Sequence, residues 1–119
     1  MKNEKLIHDW MVSYLKDKLS RDYNDVRINL EEKKNEFKGH HPDLILGNHG
    51  LVLAIMEVET EGSITSGKAD EWKTLTGLGA KLILMVPKTS KAKVVDFLWK
   101  KGMADKVSVG SYELSVSMP

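Results

Sequence analysis

The chain contains no cysteine and no long apolar segment. Without cysteine it can form neither disulfide bonds nor the cysteine-ligated zinc sites of small domains. A reducing compartment is its natural setting, so we predict a cytoplasmic protein. No apolar run approaches the ~20 residues that a membrane-spanning helix needs, and the N-terminal stretch MKNEKLIHDW has no apolar signal core. We therefore expect no membrane partner.

A strong excess of charge of one sign is also missing. The formal net charge is +1, whereas nucleic-acid-binding domains are often strongly basic. This counts only mildly against such a partner, because a carboxylate-lined metal site lowers the net charge while basic patches remain elsewhere. Charged residues make up 29% and hydrophobic residues 41% of the chain, which is typical of a globular protein. With 119 residues, the length fits a single domain over residues 1–119.

The spacing of apolar residues predicts an α/β protein. Helical periodicity, two-residue alternation and short buried runs follow one another with turn residues between them. The predicted elements are a helix over 4–19, strands over 26–31, 42–46 and 51–59, a helix over 68–77, a strand over 81–86, a helix over 91–101 and a strand over 106–114. This order, αβββαβαβ, predicts a mixed central sheet flanked by helices.

Several single residues receive structural interpretations. Asn3 is suited to cap the first helix, Thr65 or Ser66 the second, and Thr89-Ser90 the third. His8 and His49 are interpreted as surface and turn residues. The residues predicted to face the core from the helices are Leu6, Ile7, Trp10, Met11, Tyr14, Leu15, Trp72 and Trp99.

Three acidic residues stand at the ends of two predicted strands. Glu57 and Glu59 end a strand that otherwise reads LVLAIM, and strand alternation directs both side chains to one face. Asp43 begins the preceding strand, directly behind Pro42. We therefore ask whether Asp43 shares the face of the two glutamates.

The hairpin between these strands decides that question. A three-residue loop over 48–50 pairs Gly47 with Leu51, sets Asp43 opposite Ile55 and diagonal to Glu57, and puts all three acids on one face. A two-residue loop changes the parity and turns Asp43 to the other face. Glycine at the last loop position favours the three-residue loop.

Three clustered carboxylates repel one another, and the repulsion grows as the site becomes drier. Proton uptake relieves it, and so does a hard divalent cation. Oxygen ligands without cysteine suit Mg²⁺ or Mn²⁺ better than zinc. A metal held by two carboxylates keeps positions open for water and phosphate.

This pattern resembles the PD-(D/E)XK nuclease superfamily, which includes many restriction endonucleases and the archaeal Holliday-junction resolvases. Asp43 stands in the segment HPDLIL and is followed, after thirteen residues, by Glu57-Val58-Glu59. The superfamily's αβββαβ core is similar to the elements predicted over residues 1–87. The resemblance implies a restriction-endonuclease-like fold and Mg²⁺- or Mn²⁺-dependent endonuclease cleavage of DNA.

The resemblance also implies roles for individual residues. Asp43 and Glu57 would be metal ligands, with the carbonyl of Val58 as another. The chain departs from the family at Glu59, where a lysine is usual, although some restriction enzymes of the group carry a glutamate there. Glu59 would orient or deprotonate water. Lys68 would stabilise the transition state as a relocated lysine, with Lys73 as the other candidate, and Glu4 would correspond to an acid that some members carry on the first helix.

Two functional hypotheses therefore remain after the sequence alone, beside a third in which the chain is an unrelated small α/β protein whose acidic residues have no functional role. The first is a DNA endonuclease, expected to be a homodimer if it cuts both strands. The second, motivated by Glu59 in place of lysine, is a catalytically inactive nuclease-fold module that binds nucleic acid or a protein partner. Metal binding at Asp43 and Glu57 distinguishes the two.

Overall fold

The computed structural model describes residues 3–115 and is built around one five-stranded sheet. Short 3₁₀ turns, Glu61–Ser63 and Lys88–Ser90, precede the second and third helices. Within residues 3–115 no helix combines the length and the apolar character needed to cross a membrane. The elements are α1 Glu4–Leu19, β1 Asp25–Ile28, β2 Leu44–Asn48, β3 Leu51–Val58, α2 Ser66–Thr76, β4 Lys81–Pro87, α3 Lys91–Lys100 and β5 Val107–Tyr112.

The strands lie in the sheet in their sequence order, β1-β2-β3-β4-β5. The first three form an antiparallel meander, whereas β3, β4 and β5 run parallel to one another. The parallel pairs follow from α2 and α3, because each helix carries the chain back across the sheet. The predicted α/β class and the mixed sheet with flanking helices are confirmed.

Helices cover both faces of the sheet, and alternation along the strands supplies a core to each. The face under α1 holds Leu44, Leu46, Ala54, Met56 and Val58. The face under α2 and α3 holds the strand residues that alternate with the first set, including Ile45, Ile55, Leu82, Leu84 and Val86. Glu57 and Glu59 continue the alternation of Ile55, so they lie on the face that α2 covers.

The prediction for the apolar stripe of α1 is partly wrong. The buried residues of this helix are Met11, Val12 and Leu15, whereas Leu6, Trp10 and Tyr14 are exposed. The apolar arc of α1 is wider than the strip that contacts the sheet, so one edge of it remains at the surface. Asn3 also makes no capping hydrogen bond through its side chain.

For the later helices, one prediction of burial is wrong, and the open choice of capping residue for α2 is resolved. Trp72 is fully buried, as predicted, but Trp99 is 72% exposed because it lies one residue beyond the buried Leu98 on α3. Thr65, and not Ser66, caps α2, since its side-chain oxygen accepts from the backbone N–H of Lys68. The third helix follows a 3₁₀ turn, and Ser90 makes no side-chain capping hydrogen bond.

The β2–β3 hairpin differs from the predicted one and still brings the acids to one face. Its turn has two residues, His49 and Gly50, both with positive φ, and Asn48 pairs with Leu51. Such a type I′ turn suits the right-handed twist of a hairpin. Taken alone, this loop would have turned Asp43 to the other face.

A β-bulge restores the parity. Gly47 pairs with Val52 and Leu46 pairs with Ala54, so Leu53 is an extra residue on β3. A Cβ on Gly47 would lie 2.7 Å from the backbone oxygen of Leu51, so the bulge requires glycine there. The register then runs to Leu44 opposite Met56, which brings Asp43 opposite Glu57.

The loop that leads into Asp43 is organised by a buried asparagine. Asn29 is fully buried, and its side-chain amide donates to the carbonyl oxygens of Asn35 and Pro42 at 2.7 Å. Its oxygen accepts from the backbone N–H of Asn35. These bonds end β1 at Ile28, earlier than predicted, because Asn29 turns the chain into the loop. They also fix the residue directly before Asp43.

Candidate functional site

A cavity of about 430 Å³ opens at the carboxyl-terminal end of β3. Ligand sites of open α/β sheets characteristically lie outside the carboxyl ends of the strands. All four residues with predicted catalytic roles line this cavity, together with side chains from α1 and from the loop before β2. The lining residues are Glu4, Lys5, His8, Lys33, His41, Asp43, Glu57, Val58, Glu59, Thr60, Ser63 and Lys68.

Asp43 and Glu57 are locked together through the backbone. The backbone N–H of Asp43 donates to Oε2 of Glu57, and the N–H of Val58 donates to Oδ2 of Asp43, both at 2.8 Å. The other carboxylate oxygen of Glu57, Oε1, makes no hydrogen bond within residues 3–115. In this part of the chain every side-chain oxygen that is shielded from solvent has a hydrogen-bond partner, so Oε1 is not shielded. This second oxygen of Glu57 is therefore accessible from the cavity.

The proximity of these acids is unfavourable when both are ionised. Burial, followed by the negative charge of Asp43, raises the pKa of Glu57 to about 8. At neutral pH the Glu57 carboxyl therefore holds a proton, which removes the repulsion. A divalent cation bound in the same place would have the same effect.

Glu59 is held by side chains on either side of it. It is only 2% exposed, and its Oε1 accepts from the hydroxyl of Ser63 at 2.7 Å while its Oε2 accepts from Nε1 of Trp72 at 2.9 Å. The hydroxyl of Tyr112 donates to the backbone oxygen of Glu59 at 2.6 Å. Burial raises the pKa of Glu59, whereas the charge of Lys68 and the hydrogen bonds from Trp72 and Ser63 oppose the increase.

Lys68 reaches the cavity from the first turn of α2. Burial lowers the pKa of Lys68, but the nearby acidic residues, Glu59 first among them, raise it more, so the ammonium group stays charged. Its Nζ lies 3.6 Å from Oε2 of Glu71 at the rim. Lys73, the other candidate lysine, is exposed and does not line the cavity. The structure therefore brings Lys68, and not Lys73, to the three acids.

The interpretation of His8 as a surface residue is wrong. Its Nε2 lies 3.0 Å from Oδ1 of Asp43, and its Nδ1 lies 2.9 Å from Oδ1 of Asp9. The hydrogen bond with Asp43 raises the pKa of His8 to about 9, against the opposing effect of burial. His8 follows Glu4 by one helical turn, and this i, i+4 spacing was the signal that both would face the same site.

Glu4 joins the start of α1 to the loop after β3. The hydroxyl of Thr60 donates to Oε1 of Glu4 at 2.6 Å, and the backbone N–H of Gly62 donates to both carboxylate oxygens at 3.1 Å. Its side chain thus holds the 3₁₀ turn that carries Ser63, and Ser63 in turn contacts Glu59. The contacts of Glu4 support a positioning role beside the acid cluster.

The donor set fits a hard cation with few protein ligands. Within residues 3–115, no three side chains of the His, Cys, Asp and Glu types converge as metal ligands. Mg²⁺ is commonly held by one or two carboxylates, with water and substrate phosphate completing its octahedron. Asp43 and Glu57 could supply that number, and Val58 lines the same cavity. The two-carboxylate site therefore fits Mg²⁺ or Mn²⁺ better than a metal that requires a complete protein cage.

A second, smaller cavity lies beside the first, near α2. The second cavity has a volume of about 290 Å³, and it shares Glu57 and His41 with the first. His40, Pro42 and Thr74 also line it. Glu57 therefore lies between the two cavities and lines both of them.

Comparison with known proteins gives no match, whether to a protein-family model, to a curated protein sequence or to a solved structure.

Proposed function

We propose that the chain is a Mg²⁺- or Mn²⁺-dependent endonuclease that hydrolyses phosphodiester bonds of DNA. The observation that carries the proposal is the pair of hydrogen bonds from the backbone N–H groups of Asp43 and Val58 to the side chains of Glu57 and Asp43. These bonds hold two carboxyl groups together at the end of the sheet. Close carboxylates are costly unless a proton or a cation compensates them. Two carboxyl groups held together in the lining of an open cavity are the arrangement that a metal-dependent hydrolase needs.

The architecture supports a restriction-endonuclease-like fold for the same chain. Residues 4–87 follow the order αβββαβ, with an antiparallel meander joined to a parallel strand. Asp43 precedes the second strand and Glu57 is near the end of the third, as the resemblance to the PD-(D/E)XK superfamily requires. Fold and acid placement thus point to one activity, although the fold alone never determines function.

The residues around the metal position have separable roles in this proposal. A bound Mg²⁺ or Mn²⁺ would polarise the phosphate and lower the pKa of a water molecule. Lys68 contributes a positive charge where negative charge grows on the phosphate oxygens. Glu59, fixed by Ser63 and Trp72, attracts that ammonium group electrostatically and would orient the attacking water.

One observation favours the alternative of a catalytically inactive module. Both side-chain oxygens of Glu59 already accept hydrogen bonds from the protein, and Oδ1 of Asp43 is in contact with His8. An inactive descendant could keep these contacts as structural ones and bind nucleic acid or a protein partner without cutting. The two functions differ in what Mn²⁺ does to a DNA substrate.

Cleavage of supercoiled and branched DNA in the presence of Mn²⁺ tests the proposal. We expect nicked and linear products with the wild-type protein, and none with a chelator or with Asp43→Asn. The asparagine variant keeps an oxygen that can accept from Val58, so its fold should persist, as circular dichroism can check. DNA that is bound but left intact by the wild type under all metal conditions would instead establish the inactive module.

A further inference from the structure

A further cavity, the β5 cavity, has a volume of about 280 Å³ and opens where β4 and β5 end, beside the start of α1. Apolar groups form much of its wall: Ile7 from α1, Pro87 at the end of β4, and Tyr112 and Leu114 at the end of β5. None of these residues lines the cavity at the end of β3 (the β3 cavity). The carboxyl ends of the strands are where open α/β sheets characteristically bind ligands, so the β5 cavity is a candidate binding site of its own.

The β5 cavity adjoins the β3 cavity through residues that line both. Glu4 and Thr60 are shared in this way, and the hydroxyl of Thr60 donates to Oε1 of Glu4 at 2.6 Å. Tyr112, in the wall of the β5 cavity, donates its hydroxyl to the backbone oxygen of Glu59 at 2.6 Å. A ligand in the β5 cavity would therefore lie beside residues that hold the acid cluster in place.

The two cavities differ in the charged side chains that line them. Within residues 3–115, the lysines that line the β3 cavity are Lys5, Lys33 and Lys68. In the same part of the chain, the charged residues that line the β5 cavity are Glu4, Glu61, Lys88 and Glu113. Because acids outnumber the single lysine there, the β5 cavity disfavours a phosphate group. The β3 cavity, with its lysines and its proposed metal position, is the place for a phosphate.

The acids of the β5 cavity have partners but can accept further hydrogen bonds. The hydroxyl of Thr89 donates to Oε1 of Glu61 at 2.9 Å, and Nζ of Lys88 lies 3.9 Å from Oε2 of Glu113. An ionised carboxylate has about four acceptor positions, so each of these acids can accept from another N–H group. Both acids are exposed, so pairing them with a second cation would contribute little. The apolar walls and the surplus of acceptors together suit a flat, neutral ring that carries N–H donors.

We propose that the β5 cavity binds one unpaired base of the DNA substrate, beside the phosphate that occupies the β3 cavity; this inference rests on the endonuclease activity proposed above. The apolar walls contact the faces of the base, and Glu61 and Glu113 accept from the amino group of cytosine, adenine or guanine. Thymine has no amino group and would turn carbonyl oxygens towards these acids. A volume of about 280 Å³ lies just below the ~300–1,000 Å³ of pockets for drug-sized ligands, so it holds one base and not a base pair. Unpairing costs least in mismatched, branched or single-stranded DNA, which is therefore the preferred substrate.

Methyl NMR of the full chain with free deoxynucleosides, in the absence of metal, tests the base site independently of cleavage. Deoxycytidine should shift the methyl signals of Ile7 and Thr89 at a concentration at least about fivefold lower than thymidine requires, because only cytosine donates to the acids. The signals of Leu6, which is exposed on the same helix but does not line the cavity, should not move. No shift at Ile7 and Thr89 with about 10 mM deoxycytidine would overturn the proposal, and so would equal shifts at Leu6. Binding of N-acetylarginine amide in the cavity, without binding of any deoxynucleoside, would overturn it in favour of a basic peptide.

Filling the cavity gives a second test, in which the probe is a short DNA duplex with or without one unpaired cytosine. In fluorescence anisotropy without metal, the unpaired cytosine should raise the affinity of the wild type at least about fivefold. Thr89→Trp, which fills the cavity from its exposed rim, should remove this preference and also the shift of Ile7 by deoxycytidine. Ser13→Trp is the matched control, since Ser13 is exposed on α1 and lines neither cavity, and it should keep both.

The outcomes separate the base site from the endonuclease activity. A wild type that shows the shifts and the preference for unpaired cytosine but cuts no DNA would contradict the proposed activity and retain the base site. A wild type that cuts DNA without any preference for an unpaired cytosine, or an equal loss of preference in Thr89→Trp and Ser13→Trp, would overturn the base site alone.

Discussion

Replacing Glu57 by glutamine is expected to stabilise the folded protein above neutral pH. In the folded state the pKa of Glu57 is raised from 4.5 to about 8 by burial and by Asp43. The unfolded chain therefore loses this proton at lower pH than the folded chain does, and the stability of the wild type falls as pH rises from 4.5 through 8. Glutamine is isosteric, stays neutral, and still accepts from the backbone N–H of Asp43.

The measurement is thermal unfolding of wild type and Glu57→Gln between pH 5 and pH 9. We expect similar midpoints at the acidic end and a variant that unfolds at least about 4 °C higher at the alkaline end, the shift that 1 kcal/mol produces in a domain of this size. Glu36→Gln, an exposed substitution of the same kind, should show no such pH dependence. A Glu57→Gln midpoint at or below that of the wild type throughout the range would contradict the expected shift.

The titration of His8 also lowers the stability of the protein as pH rises, so its contribution has to be distinguished from that of Glu57. Its pKa is raised from 6.5 to about 9, mainly by the hydrogen bond with Asp43. The stability from this contact is complete below 6.5 and is lost as pH rises through 9. Because both proteins contain His8, its contribution largely cancels in the difference between Glu57→Gln and wild type.

Replacing Lys68 by methionine is expected to reduce cleavage by about 10²-fold, with substrate binding little changed. Methionine keeps the length and apolar stem of the side chain but removes the positive charge that faces Glu59 and Glu57. The loss should appear in kcat rather than in KM, because the charge is needed most when negative charge develops on the phosphate.

Lys73→Met provides the control for this experiment. Both lysines belong to α2, but Lys73 is exposed and does not line the cavity. It should retain nearly full activity. Equal losses in the two variants would point to general electrostatic attraction of DNA, and an unchanged Lys68→Met would remove this lysine from the chemistry.

The element order and the acid cluster could be predicted from the sequence because both follow from periodicity. The apolar run before Glu57 identifies a buried strand, and alternation then puts Glu57 and Glu59 on one face. The sequence likewise limited the cap of α2 to Thr65 or Ser66, and the structure shows that Thr65 is the cap. Such signals act over a few residues, so no tertiary information is needed to interpret them.

The details of the site depend on contacts that local patterns do not encode. The predicted loop gave the correct face for Asp43 by a different route, since a two-residue turn and the extra residue Leu53 together restore the parity. Trp99 is apolar but lies beside, and not on, the buried face of α3. The contact of His8 with Asp43 joins residues 35 positions apart in sequence, so only the packed fold brings them together.

Binding of Mn²⁺ tests the central claim, that Asp43 and Glu57 together hold a divalent metal. Calorimetric titration near pH 8 should give one Mn²⁺ per wild-type chain, and both Asp43→Asn and Glu57→Gln should weaken it severely while Glu36→Gln leaves it unchanged. A wild-type protein that binds no Mn²⁺, or equal binding by all four proteins, would contradict the account.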